Sequence, residues 1–87
     1  MCDDEKYSKL NQHEHYMTHA MLVRQRTAEA DRGVGGVTLA MIIEQAEFAL
    51  ELADKDVDSV CKQRLSDIVL GNLDPIAEYR SLKKSVA

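Results

Sequence analysis

Residues 39–53, "LAMIIEQAEFALELA", decide the fold. At 100° per residue, Glu44, Glu47, Glu51 and the following Asp54 fall on one narrow strip of a helix. Leu39, Met41, Ile42, Ile43, Ala46, Phe48, Ala49, Leu50, Leu52 and Ala53 take the rest. The apolar arc is on the order of 200–240°, where a surface helix typically shows a stripe of about 100°. The spacing therefore predicts a central helix, covered on more than one side. Thr38 is placed to cap its start, and Val37 to staple onto Ile42.

Upstream lies "RGVGGVT", residues 32–38, with three of the four glycines of the chain. Gly33 suits the left-handed end of a preceding helix, and Gly35 and Gly36 a tight reversal or hinge. The preceding helix is long, from about Asp4 to Arg32. Its acidic start suits the positive end of a helix dipole. Leu10, Tyr16, Met17, Ala20, Met21 and Val23 share its apolar arc, with His13 and Arg24 inside that arc. An unpaired charge buried there is very costly, so Arg24 needs a partner.

Downstream, a third helix is expected from about Val57 to Leu70. Asp56 is its cap, Val57, Val60, Cys61, Leu65 and Ile68 its stripe, and Gly71 its terminating glycine. Asp74-Pro75 opens a fourth helix as cap and first-turn proline. Ile76, Tyr79 and Leu82 form its apolar face, and Lys83 and Lys84 lie in its last turn. No stretch alternates with period two. The fold class is all-α: a small bundle of three to four helices with a long N-terminal helix, expected to be oligomeric. Residues 1–87 form a single helical domain, with residues 1–5 expected to be mobile.

Composition narrows the function classes. A chain of 87 residues buries about 60–65% of its unfolded surface, so its stability is marginal. Hydrophobic residues make up 45% of the chain, too many for a disordered segment. Four aromatic side chains and no tryptophan leave the core to aliphatic residues. A net charge of −4 does not suit a nucleic-acid binder. Cys2 and Cys61 form neither a disulfide framework nor a CxxC motif. The acidic start lacks the pattern of a signal peptide, and "VTLAMII" is too short to span a bilayer, so a cytoplasmic location is expected.

Three constellations bear on function. His15 and His19, at i and i+4, share a helix face at a workable two-ligand spacing for a divalent metal; His13 points away from them. Arg32, Gly33, Gly35, Gly36 and Thr38 run into a helix start and offer an anion or nucleotide loop, though neither the Walker nor the dinucleotide fingerprint is present. The acidic strip of Glu44, Glu47, Glu51 and Asp54 reads as a water-facing side free to meet a partner. Cys61 is expected to be a buried, inert thiol. No nucleophile has a vouched-for base, so the chain is expected not to be an enzyme and to need no cofactor. The surplus apolar surface, Met17 and Met21 included, must meet a second copy or another protein. The reading is a non-catalytic protein-binding or regulatory module acting as a homodimer or higher oligomer, without nucleic acid or membrane as partner. Adaptors and the small inhibitors made by bacteria and their phages belong to this class. The alternative is a small-ligand binder at the histidines or the glycine loop.

Overall fold

In the computed structural model the chain forms four helices: α1 (Asp3–Arg32), α2 (Leu39–Leu52), α3 (Ser59–Leu70) and α4 (Pro75–Val86). The structure describes the backbone of residues 3–86 and the side chains of residues 11–85. The expected mobility of residues 1–5, Cys2 and the expected place of Leu10 lie outside that described set. Among the described residues there is no strand.

Helices α1 and α2 form an antiparallel pair. The Gln12 side chain donates to the Leu52 carbonyl at 3.1 Å, and further along His19 meets Gln45 at 2.7 Å. α3 packs on the other side of α2, and α4 packs on α1. The wide apolar arc of α2 is thus shared between two neighbours. Ile42, Ala46 and Ala49 are fully buried. They join Tyr16 and Val23 of α1 and Leu65 and Ile68 of α3 in one core. Two alanines in the buried face of α2 let neighbouring backbones approach closely.

The glycines end helices as their conformational freedom allows. Gly33 (φ +71°) and Gly71 (φ +81°) are left-handed. At each, two backbone N–H groups fold back onto carbonyls of the last turn, Gly33 and Val34 onto Ala30 and Glu29, Gly71 and Asn72 onto Ile68 and Asp67. This double closure satisfies carbonyls that a helix end leaves open. Asp74 caps α4, accepting from Ile76 N–H at 2.9 Å, and Pro75 occupies the first helical position and is fully buried.

Several sequence expectations need correction. α3 begins at Ser59, and its cap is Asp58, which accepts from Val60 N–H at 2.8 Å. Asp56 instead lies in the preceding turn, its N–H bonded to Asp54. Thr38 has the extended backbone of a cap but makes no side-chain bond, so the first amides of α2 rely on its carbonyl. Met17 and Met21, expected as part of the surplus apolar surface, are exposed on α1. Val60 and Cys61 are also exposed, since from the expected stripe the core takes Val57, Leu65 and Ile68.

Candidate functional site

A groove of about 410 Å³ lies where α1, α3 and α4 meet. α3 is held by α2, α4 by α1, and the space between them is left unfilled. Tyr16, Ala20, Arg24 and Thr27 of α1 form one wall. Cys61, Arg64 and Leu65 of α3 form the second, and Pro75, Glu78, Tyr79 and Leu82 of α4 the third.

The polar groups of this groove differ in how they are satisfied. Thr27 turns its hydroxyl inward and donates to the Val23 carbonyl at 2.6 Å. Arg64 of α3 is ion-paired with Glu78 of α4, which ties the two walls together. Arg24 has no ion-pair partner among the described residues. The expectation that it lies buried in the apolar arc is corrected: Arg24 is exposed on the rim of the groove, so water solvates its charge. Tyr16 is 6% exposed, and its hydroxyl has no hydrogen-bond partner among the described residues. Burial pushes the Tyr16 phenol above its ordinary value, the nearby Cys61 adds to this, and Arg24 opposes it. Tyr16 therefore remains a neutral hydroxyl donor at neutral pH. The Cys61 thiol opens onto this groove rather than into the core.

The sequence-derived candidates are scattered over other surfaces. Glu44, Glu47 and Glu51 are exposed along the outer side of α2 and form no ion pair among the described residues. Asp54 departs from the strip: it is half-buried and faces the His13 ring at 3.9 Å. Met17 (49% exposed) and Met21 (64% exposed) lie on α1 next to the rim of the groove. His15 is exposed, whereas His19 is half-buried. The His19 ring packs on Phe48, with centroids 5.3 Å apart, and its Nδ1 is engaged by Gln45. The two histidines thus sit in different settings, and among the described residues no group of three or more His, Cys, Asp or Glu is placed to hold a metal ion.

In the glycine loop, the amides of Gly33 and Val34 are already used in ending α1. Gly35 lies beside the Glu29 carboxylate, 3.9 Å from where a β-carbon would stand. Glu29 in turn pairs with Arg26 at 3.5 Å. The Glu29 carboxylate and the use of two amides weigh against an anion at the start of this loop. Arg32 is exposed nearby. The geometry therefore supports the reading of residues 32–38 as a turn that reverses the chain.

Sequence reasoning did not find the groove as a site. Tyr16, Arg24, Cys61, Arg64, Glu78 and Tyr79 come from three helices, and no sequence spacing links them. The one available signal was Arg24 inside an apolar arc without an obvious partner. No family model, curated protein or solved structure matches the chain. Functional inference consequently rests on the geometry.

Proposed function

We propose that the protein is a small non-catalytic protein-binding or regulatory module, of the adaptor or inhibitor kind, that works in the cytoplasm as a homo-oligomer through its helix faces. The long N-terminal helix supplies one of those faces. The observation that carries this reading is a row of apolar side chains along the outer edge of the α1–α2 pair. Met41 (36% exposed) and Phe48 (41% exposed) stand two turns apart on the same side of α2. Phe48 rests on His19, which fixes its position. The exposed carboxylates Glu44, Glu47 and Glu51 flank this row. An apolar centre with a charged border is the usual composition of a protein–protein contact. A monomer seldom leaves such a row uncovered.

Light scattering on a sizing column at micromolar concentration tests the reading. The expected particle is a dimer or larger, and Phe48→Glu together with Met41→Glu reduces it to a monomer. Both side chains are partly exposed, so the variant keeps its helical circular dichroism. A native protein that stays monomeric across the concentration range refutes self-association. A double variant that associates as the native chain does refutes the assignment of the surface.

A further inference from the structure

We propose that the groove between α1, α3 and α4 is a binding site for a small anionic amphiphile, an alkyl monocarboxylate. Its carboxylate meets the Arg24 guanidinium, the Tyr16 hydroxyl is a further donor on the same wall, and its chain lies along Ala20, Leu65, Tyr79 and Leu82. This site is separate from the Met41–Phe48 row and does not depend on self-association.

Size comes first. A volume of about 410 Å³ falls within the range of roughly 300–1,000 Å³ for small-molecule sites, which are mostly apolar with a few convergent polar groups. The groove matches that description. Its aliphatic and aromatic lining comes from all three helices, and its polar groups gather on the α1 side and at the α3–α4 bridge.

The chemistry of the polar groups then selects the ligand. A guanidinium has donors and no acceptor, and a neutral phenol has one donor to give. Neither Arg24 nor the Tyr16 hydroxyl has a partner among the described residues. No buried side-chain polar atom is left unsatisfied there. The Tyr16 hydroxyl therefore reaches solvent, and Tyr16 is one of the residues that line the groove. Arg24 and Tyr16 are close enough to influence each other electrostatically. The α1 wall of the groove thus carries a positive charge and a hydroxyl donor about two helical turns apart. The one carboxylate in its lining, Glu78, is already neutralised by Arg64. A cationic ligand finds no free acceptor charge, while a carboxylate finds an unpaired guanidinium. One free guanidinium matches a single negative charge better than a doubly charged phosphate monoester.

The chain carries its own reporter. Tyr16 and Tyr79 line the groove, and there is no tryptophan to mask their fluorescence. Decanoate is titrated into the intact protein below its micelle concentration, with tyrosine fluorescence as the readout and light scattering run in parallel. The expected result is saturable binding of one decanoate per chain, about tenfold tighter than decanol, the worth of one charge-assisted hydrogen bond. Arg24→Gln should erase the difference between the two ligands. Leu82→Asp should weaken both. Arg24 and Leu82 are exposed, so both variants keep the native melting profile.

Several results overturn the proposal. They are an absence of saturable binding, equal affinity for decanoate and decanol, or an Arg24→Gln protein that still prefers decanoate. Binding to phosphatidylglycerol vesicles without binding free decanoate assigns the surface to a membrane instead. A change of oligomeric state in Leu82→Asp with no decanoate binding to the native chain assigns the groove to a protein contact. Loss of self-association in the Met41 and Phe48 variant, with decanoate binding unchanged, leaves this proposal standing.

Discussion

Replacing Ile42 by alanine tests the central placement of α2. Ile42 is 0% exposed, in contact with the core shared by α1, α2 and α3, whereas the adjacent Met41 is 36% exposed. Ile42→Ala removes three carbons, worth about 2.4 kcal/mol in transfer at about 0.8 kcal/mol each, before any cavity term. Core Ile→Ala changes range over about 2–5 kcal/mol. We take about 3 kcal/mol. For 87 residues, an unfolding entropy of about 2.1 cal/mol/K per residue turns this into a loss of roughly 16 °C in Tm. The folded chain is worth about 4–13 kcal/mol in all, so at the lower end of that range the variant sits near the edge of folding. Met41→Ala, which removes a partly solvated side chain, should cost under about 1 kcal/mol. Urea melts followed by far-ultraviolet circular dichroism, at several protein concentrations, separate the two. Concentration must be varied because self-association adds to apparent stability. Equal losses in the two variants, or a loss below about 1 kcal/mol for Ile42→Ala, refute the packing of α2 between α1 and α3.

The carboxylate of Asp31 holds α4 through Arg80 Nε at 2.6 Å and Lys83 Nζ at 2.8 Å. Hydrogen bonds from Lys83 and Arg80 lower its pKa, so its contribution is fully present above the ordinary carboxylate pKa of about 4 and fades as pH falls through the lower folded value. An acid titration should show Asp31→Asn losing the part of the native pH dependence below about pH 4 while matching it in slope at higher pH. Gly71→Ala places a β-carbon in open space at φ +81°, so the loss is that of the left-handed backbone alone, about 1–2 kcal/mol by thermal melting; a neutral effect contradicts that helix ending. Ala20→Leu grows a side chain into the groove. It should abolish decanoate binding, leave the oligomeric state unchanged and raise stability by about 1 kcal/mol from partial burial of the added carbons; a large drop in Tm shows that the space is already closed.

The helices were legible because their signals are local. The wide apolar arc of α2 pointed to more than one neighbour, and α1 and α3 cover Ile42, Ala46 and Ala49 while Leu39, Met41 and Phe48 stay exposed. Gly33, Gly71 and Asp74-Pro75 mark ends through backbone geometry that each residue carries by itself. The groove was not legible, because a helical wheel records which residues are apolar and not whether a neighbour covers them. Val60 and Cys61 fit the stripe of α3 as well as Leu65 and Ile68 do, yet only the latter pair meets the core. Asp58 displaced Asp56 as the cap of α3 because both lie in one acidic run, and the choice between them depends on where the turn leaves α2. The contact between His19 and Gln45 spans 26 positions, and no spacing rule reaches that far.

The groove remains open because α4 is fixed at points that do not fill it. Its start is anchored by the Asp74 cap and the buried Pro75. Its later part is held on α1 by Asp31, and its first turn is also tied to α3 by the Arg64–Glu78 pair. Closing the space would require α4 to slide toward α3, and that movement breaks the Asp31 contacts with Arg80 and Lys83. Surface ion pairs are individually weak, about 0–1 kcal/mol each. The resistance therefore comes mainly from Pro75, whose burial fixes where α4 leaves the loop. Leu82 is left 59% exposed by this arrangement. Burying such a side chain fully is worth about 1.5–3 kcal/mol, and that gain is forgone in the isolated chain. A ligand that covers Leu82 and the neighbouring Tyr79 recovers part of it without moving a helix. Apolar affinity and a preformed opening thus arise from the same anchoring of α4, and the charge preference is added by Arg24 and Tyr16 across the groove.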